Sequence, residues 1–171
     1  MKPIERAIAI ALDAHAGQVD KAGAPYVLHP LRMMARMKSE PEMMAAVLHD
    51  VVEDGDGWSL DRLAAEGIPP YVVDAVGSLT KRPEEEGDYM AFIRRAGHNA
   101  IARAVKLADL EDNMDLGRIA NPTERDMKRI DKYRSAHAFL ESLPHVPSGS
   151  ESISRLARTT EDRRLASGRE V

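Results

Sequence analysis

The sequence predicts an all-α fold, and three observations support this prediction. Alanine, leucine, methionine, glutamate and arginine, which favour helices, dominate the chain. Alternating runs of β-branched and aromatic residues, which would indicate strands, are absent from it. Apolar residues instead recur at the three- and four-residue spacing of buried helix faces. With 171 residues, the chain is long enough for one domain with a single core.

Proline and glycine mark most helix boundaries in the first half of the chain. Proline fits the first turn of a helix because the N–H that it lacks would have no intrahelical partner there. Glycine commonly ends a helix, and Gly55 and Gly67 do so in this prediction. Residues 17–26 contain two glycines and a proline and are predicted to form a loop. The predicted helices are 3–15, a short helix opened by Pro30, 41–54, 60–67 and 69–79.

Three further helices are predicted in the second half of the chain. Thr123 is a suitable N-cap, because its side chain can accept from a free backbone N–H of the first turn. Glu124 and Asp126 follow it, where the helix dipole favours acidic residues. The predicted helices are 88–96, 100–116 and 123–140, and a charged loop at 81–88 precedes them.

The composition of the chain changes near residue 144. Residues 144–150 are mostly proline, serine and glycine, and the residues after them are polar with few apolar side chains to bury. We therefore expect residues 1–143 to form the domain. Residues 144–171 are predicted to be a linker and a polar C-terminal tail, partly disordered or with one marginal helix.

Composition and charge exclude several classes of site and partner. The chain has no cysteine, so disulfides, thiolate zinc sites and cysteine nucleophiles are excluded, and a metal would have to bind through histidine, carboxylate, amide or water. The net charge is −4 and no long basic run occurs, which argues against a nucleic-acid partner. No apolar stretch is long enough for a membrane span or a signal peptide, so we expect a cytoplasmic protein without a membrane partner.

The strongest chemical signal lies in residues 43–54. Their apolar side chains recur at the spacing of a buried helix face. Four polar side chains share the opposite face in pairs one turn apart: His49, Asp50, Glu53 and Asp54. A solvated polar face is the alternative interpretation. However, crowded carboxylates with no neighbouring cation destabilise a helix, and two of them lie at its C-terminal end, where the dipole disfavours anions. A bound divalent cation would remove both objections.

Asp109 and His29 are further candidates for the same site. Asp109 lies in a helix with two apolar stripes, and a buried carboxylate requires a cation or several hydrogen-bond donors. An aspartate paired with a core arginine is the alternative. Asn113 follows one turn later on the same face. His29 precedes Pro30, which predicts an extended backbone and a defined direction for the ring. A surface histidine at a helix start is the alternative.

These motifs together resemble the HD superfamily of metal-dependent phosphohydrolases, and most closely the small alarmone hydrolases, the hydrolase-only branch of the RelA/SpoT family. The resemblance covers about residues 4–140. It implies a compact helical bundle of the HD-domain type that hydrolyses a phosphorylated nucleotide. The blocks that carry it are His15-Ala16-Gly17-Gln18, Gly23-Ala24-Pro25-Tyr26 with His29-Pro30, Leu48-His49-Asp50-Val51-Val52-Glu53-Asp54, and Val105-Lys106-Leu107-Ala108-Asp109 with Asn113.

The resemblance also implies a role for individual residues. The metal ligands that it implies, for one divalent ion that is usually manganese, are His29, His49, Asp50 and Asp109. The acidic pair that it assigns to catalysis is Glu53 and Asp54. The residues that it places at the nucleotide are Lys21, Asn113, Arg129 and Tyr133. Two imidazoles and two carboxylates leave open positions on an octahedral ion, and an ion of this kind lowers the pKa of a bound water.

Three positions depart from the pattern of the family. Asp20 replaces an arginine that packs on the nucleobase, and Leu110 and Asp115 each stand where an arginine is common. The resemblance therefore supports the type of reaction better than it supports the substrate. The leading hypothesis is a guanosine 3′,5′-bis(diphosphate) (ppGpp) 3′-pyrophosphohydrolase. The alternatives are a related phosphohydrolase acting on an adenine alarmone or an NADPH-like dinucleotide, and a non-catalytic nucleotide-binding module. The intact acidic pair disfavours the module. The sequence does not indicate an oligomeric state.

Overall fold

The computed structural model of the protein describes residues 1–20, 23–115, 117 and 123–144. Within these ranges the fold is all-α, as predicted, and it contains no β-sheet. A single 3₁₀ turn, Pro83–Glu85, interrupts the predicted charged loop. The α-helices of the described ranges are α1 (Pro3–Ala14), α2 (Leu28–Ala35), α3 (Glu40–Leu48), α4 (Val51–Asp54), α5 (Leu60–Ala65), α6 (Pro70–Leu79), α7 (Tyr89–Gly97), α8 (Ala100–Met114) and α9 (Glu124–Ser142).

Side-chain caps define the N-termini of several helices. Ser59 accepts a hydrogen bond from the backbone N–H of Arg62 at the start of α5. Thr123 accepts one from the backbone N–H of Asp126 at the start of α9. These contacts satisfy N–H groups that have no partner within the helix. The predicted capping role of Thr123 is therefore confirmed.

Helix α8 lies between two apolar clusters, which explains its two apolar stripes. On one side it packs against α3 and α6, and on the other against α7 and α9. Val105 and Ala108 belong to the first cluster, whereas Leu110 is buried in the second. A helix enclosed on two sides buries most of its surface, and this burial places Asp109 inside the protein with 6% of its surface exposed.

The helix predicted over residues 41–54 is wrong in one respect, because the structure divides it. Helix α3 ends at Leu48 and α4 begins at Val51, with φ −102° and ψ −3° at Asp50 between them. Apolar periodicity continues through both pieces, so it could not reveal an interruption of two residues. The contacts that His49 and Asp50 make with other helices, described below, accompany the break.

The extended backbone predicted for His29 is also wrong. His29 is the second residue of α2, and its N–H donates to the carbonyl of Tyr26 at 2.9 Å. Pro30 is the third residue of the helix. In the first turn no N–H has an intrahelical acceptor, so proline removes no hydrogen bond there. The helix therefore begins before the proline rather than at it.

The predicted linker and tail lie almost entirely outside the described residues. Pro144 is described, and its carbonyl accepts a hydrogen bond from Arg103 Nη1 at 2.7 Å. Residues 145–171 are outside the described part of the chain, so the predicted boundary after residue 143 remains an expectation. Across the described ranges, no helix has the length and apolar character that a membrane crossing requires.

Candidate metal centre and active site

Four side chains from three parts of the chain converge at one point. His29 comes from α2, His49 and Asp50 from the junction of α3 and α4, and Asp109 from α8. His49 Nε2 lies 2.9 Å from Asp50 Oδ2 and 3.9 Å from Asp109 Oδ1. His29 Nε2 lies 3.4 Å from Asp109 Oδ1 and 4.0 Å from Asp50 Oδ2. The structure therefore brings together all four residues that the sequence singled out as metal ligands.

Hydrogen bonds at Nδ1 fix the orientation of both imidazole rings. His49 Nδ1 donates to the carbonyl of Ala46 at 2.8 Å, and His29 Nδ1 donates to Asp112 Oδ2 at 2.8 Å. In the neutral form, each ring then carries its lone pair on Nε2, the atom that faces the carboxylates. His49 Nε2 is buried and, although Asp50 Oδ2 lies 2.9 Å away, it makes no well-oriented hydrogen bond within the described ranges. Metal-binding histidines commonly have this arrangement.

The electrostatics of the site favour a bound cation. Burial alone would lower the pKa of His49, but the carboxylates of Asp50 and Asp109 outweigh burial and raise this pKa to about 9. Burial would raise the pKa of Asp50, but neighbouring His49 holds it well below its usual range. In the absence of an ion, a proton on His49 supplies the positive charge that the two carboxylates require. Potential ligand atoms of His29, His49 and Asp50 all lie within 4.8 Å of one another, so this group could hold a metal ion.

Two side chains of α8 hold Asp109. Lys106 Nζ lies 2.7 Å from Oδ2, and Asn113 Nδ2 donates to Oδ1 at 2.6 Å. Burial would raise the pKa of Asp109, but the Lys106 ammonium lowers it well below its usual value. The sequence had left open a pairing of Asp109 with a core arginine. The cation is instead a lysine one turn earlier on the same helix.

Asp112 is a functional candidate that the sequence reasoning missed. Its carboxylate accepts from His29 Nδ1, and it also accepts from Arg32 Nε and Nη2, each at 3.3 Å. Asp112 therefore orients one of the candidate ligands. Its spacing of three residues from Asp109 puts both on one face of α8, and this was the available signal.

The acidic pair lies beside the cleft rather than in its lining. Glu53 accepts from the backbone N–H of Lys81 at 2.7 Å and lies 3.0 Å from its ammonium. Burial raises the pKa of Asp54, and the charges of Asp50 and Glu53 raise it further. The sequence showed no cation near these carboxylates, because the cation comes from the segment after α6.

A second contact ties the loop before α2 to the site. The Tyr26 hydroxyl donates a short hydrogen bond to Asp50. Burial raises the pKa of Tyr26, and the neighbouring Asp50 carboxylate adds to the effect. The tyrosine is therefore a hydrogen-bond donor at neutral pH. The same loop is anchored by Gln18, which donates to the carbonyl of Asp54 at 2.8 Å and is close to His15 Nδ1.

A cleft of about 360 Å³ opens beside the converging residues, and His29, Asp50 and Asp109 line it. Three of the four predicted nucleotide-binding residues line it: Asn113, Arg129 and Tyr133. The fourth, Lys21, lies outside the described residues. Arg129 and Tyr133 reach the cleft from one face of α9, as their spacing predicted.

The three departures from the family pattern fall in different environments. Asp20 and Asp115 line the cleft, whereas Leu110 is only 1% exposed and belongs to the second apolar cluster. Asp20 Oδ1 accepts from the backbone N–H of Ala24 at 3.0 Å and so closes its own loop. The side chain of residue 110 therefore has no contact with the cleft in this chain, and two of the three departures remain relevant to the substrate.

Comparison with known proteins identifies several relatives. A guanosine-3′,5′-bis(diphosphate) 3′-pyrophosphohydrolase of Vibrio cholerae is 31% identical over 141 residues, which cover 75% of this chain and 20% of that protein. A GTP pyrophosphokinase of Streptomyces coelicolor is 31% identical over 151 residues, which cover 82% of this chain and 17% of that protein. No protein-family model matches the sequence.

A solved structure has the same fold. It is a metazoan orthologue of SpoT, described as a protein that hydrolyses ppGpp and plays a role in starvation responses. It matches 82% of this chain and 85% of its own with a TM-score of 0.64 and 24% identity. The chain spans only about a fifth of the length of the curated relatives above, and these are named for two opposite reactions. The residues of the site must therefore indicate the reaction.

Proposed function

The chain belongs to the HD-type alarmone hydrolase family, and from this premise we propose that it hydrolyses guanosine 3′,5′-bis(diphosphate) and releases pyrophosphate from the 3′ position. One observation carries the proposal: two imidazole Nε2 atoms and two carboxylates converge, and three of these four residues line a cleft that cationic and aromatic side chains also line. Such a set suits hydrolysis assisted by a divalent ion. We assign the catalytic domain to residues 1–143.

Manganese is the ion that we propose for the four converging residues, with His29, His49, Asp50 and Asp109 as its ligands. Nitrogen and oxygen donors in this ratio suit manganese and leave open positions on an octahedral ion. A bound ion would acidify water and neutralise phosphate charge. Asp112 would keep His29 in the binding orientation through its hydrogen bond to Nδ1.

Glu53 and Asp54 are assigned to the proton of the attacking water. Both follow Asp50 within one turn, but neither lines the cleft, and Lys81 holds the carboxylate of Glu53. Burial and the neighbouring carboxylates raise the pKa of Asp54, which makes it a better proton acceptor than an ordinary aspartate. Asn113, Arg129 and Tyr133 are assigned to the nucleotide, with Lys21 added from the sequence.

A different base specificity is the second candidate function, because Asp20 lines the cleft and stands where the family resemblance implies a base-stacking arginine. An arginine over a purine contributes about 0.5–2 kcal/mol through cation–π attraction and stacking, and aspartate contributes neither. An adenine alarmone or an NADPH-like dinucleotide would then be turned over at a comparable rate.

The test is product release from a panel of nucleotides. The full chain with Mn²⁺ is incubated with the guanosine and adenine 3′,5′-bis(diphosphates), GTP and NADPH, and pyrophosphate, phosphate and nucleoside diphosphate are quantified. Release of pyrophosphate and GDP from the guanosine compound, abolished by a chelator, supports the proposal. Preferred release from another nucleotide supports the second candidate. Binding without release from any compound would identify a non-catalytic binding module.

A further inference from the structure

Lys106 is a largely buried cation in the lining of the cleft. Its side chain is 13% exposed, and its ammonium lies 2.7 Å from Asp109 Oδ2. The ammonium also lies 5.0 Å from the centre of the buried Phe92 ring. The carboxylate of Asp109 connects the ammonium to His29, whose Nε2 is 3.4 Å from the other oxygen, Oδ1. Lys106 is therefore adjacent to the candidate ion site.

The hydrogen-bonding capacity of Lys106 is largely unused. An ammonium carries three N–H donors. Within the described ranges, Lys106 Nζ has one hydrogen bond, to Asp109. Buried N–H groups normally have acceptors, particularly when they belong to a charged group. A ligand with several oxygens in the cleft would supply the missing acceptors.

Asp109 does not by itself explain why a lysine occupies this position. Asn113 already donates to its carboxylate, and the ion that we propose would neutralise it. A fixed positive charge beside an ion's ligand repels that ion, so Lys106 opposes metal binding unless an anion lies between the two cations. A phosphate group between the ion and the ammonium would reduce the repulsion between these two cations.

The other cationic side chains that line the cleft form ion pairs and are more exposed to solvent than Lys106. Lys81 is 57% exposed and pairs with Glu53, and Arg129 is 23% exposed and pairs with Asp126. Both can exchange these partners for solvent at small cost. Lys106 is the cation of this group that solvent reaches least, and it is also the one beside the ion site.

We propose that Lys106 binds the 3′-diphosphate of the substrate directly, with the Asp109 carboxylate shared between the ammonium and the ion. This inference rests on the proposed function, because it takes a nucleotide diphosphate as the ligand of the site. The ammonium donates to phosphate oxygens with the N–H groups that Asp109 does not use. The ammonium thereby neutralises negative charge on the phosphate group that water attacks.

The experiment measures binding of inorganic pyrophosphate, which needs no turnover. Calorimetry on the full chain with Mg²⁺ compares wild type, Lys106→Gln, Lys106→Arg and the control Lys128→Gln, a lysine that is 76% exposed on α9. Lys106→Gln keeps a donor for Asp109 and removes the charge. We expect pyrophosphate to bind this variant about tenfold more weakly or worse, and Mg²⁺ alone to bind it at least as tightly as wild type. Lys106→Arg and Lys128→Gln should bind pyrophosphate within about threefold of wild type.

Two results would overturn the inference. One is unchanged affinity of Lys106→Gln for pyrophosphate. The other is parallel loss of Mg²⁺ and pyrophosphate binding, which would mean that Lys106 only positions Asp109. If Lys106→Gln fails to fold, NMR of the wild-type protein with ¹³C-labelled lysine decides. The Lys106 Cε signal, assigned by its absence in Lys106→Arg, must shift when pyrophosphate is added, and an unmoved signal rejects the inference.

Turnover separates this inference from the proposed function. If wild type hydrolyses no nucleotide but binds pyrophosphate through Lys106, the proposed function fails and the inference stands. If wild type releases pyrophosphate from the guanosine compound and Lys106→Gln binds pyrophosphate normally, the proposed function stands and the inference fails.

Discussion

The carboxylate of Glu53 is held by Lys81, which donates its backbone N–H to Oε1 at 2.7 Å and places its ammonium 3.0 Å from Oε2. The two residues are 28 positions apart, so the contact joins α4 to the segment that follows α6. It holds one proposed proton acceptor in place and brings a cation to the edge of the cleft. If a phosphate drew the Lys81 ammonium away from Glu53, the hydrogen bond from the Lys81 backbone N–H would still hold the carboxylate.

Glu53→Gln tests the catalytic assignment. Glutamine keeps the shape and the acceptor for the Lys81 N–H but cannot take up a proton. We expect kcat to fall by about 10²-fold with manganese content unchanged, measured by steady-state kinetics and elemental analysis. Asp56→Asn, an exposed acid just after α4, is the control and should keep wild-type kcat. Loss of manganese in Glu53→Gln would mean that Glu53 is a ligand.

Asp109→Ala is expected to destabilise the protein, although it removes a carboxylate from an apolar helix. The substitution leaves the Lys106 ammonium buried without its partner, which costs about 3–5 kcal/mol. Denaturant unfolding measures the loss in metal-free protein. The double variant with Lys106→Met should recover most of it, because both charges are then removed. Equal stability of Asp109→Ala and wild type would contradict the pairing.

Asp112→Ala should weaken metal binding without removing a ligand. His29 then loses the acceptor that fixes its ring, and outer partners of this kind contribute about 10–100-fold to metal affinity. Titration of the chelator-treated protein with Mn²⁺ measures the effect. Glu111→Ala, which removes a neighbouring acid that is 45% exposed, is the matched control and should bind Mn²⁺ normally. Equal Mn²⁺ affinities of the two variants would show that Asp112 does not contribute to metal binding.

Asp20→Asn and Asp20→Arg test the proposed specificity. Asparagine can still accept from the Ala24 N–H but no longer repels phosphate, so we expect a lower KM for the guanosine substrate at unchanged kcat. Arginine should lower KM further, by about 2- to 30-fold, if residue 20 faces the base. The measurement is steady-state kinetics on guanine and adenine compounds. If neither substitution lowers KM, the base specificity would be assigned to Arg129 and Tyr133 instead.

The Glu85–Arg95 pair predicts a pH-dependent contribution to stability. Arg95 binds Glu85 through Nε and Nη2, both at 2.6 Å, and its hydrogen bonds hold the pKa of Glu85 below the ordinary value of 4.5. A pKa lowered by folding stabilises the protein above the unfolded-state pKa, and this stability is lost as the pH falls through the folded-state value. Glu85→Gln should therefore lower the melting temperature by about 2–4 °C at pH 7.

The same difference should shrink as the pH falls below about 4.5. Thermal melts of wild type, Glu85→Gln and the exposed control Glu84→Gln across this range provide the measurement. The pair also supports the site, because Arg95 donates to the carbonyl of Thr80, which immediately precedes Lys81. A melting difference that stays constant with pH would mean that the ion pair contributes nothing.

The sequence was sufficient for the helical class, for most helix boundaries and for the four residues that converge. Helix class and caps depend on local spacing, and so Thr123 could be identified as an N-cap directly. Asp109 stood out because a carboxylate inside two apolar stripes must have a partner. The inferences about helix class, caps and Asp109 used residues within about two helical turns of one another, whereas the set of four came from the family resemblance of separate motif blocks.

The identity of the partners depended on the packing of distant segments. Lys81 approaches Glu53 from 28 residues away, and Asp112 reaches His29 across 83 residues. The break at Asp50 is another such feature, since apolar periodicity is the same on both sides of it. Hydrogen bonds between distant segments are set by where helices cross, and helix crossing depends on the complementary shapes of whole faces rather than on the residues next in sequence.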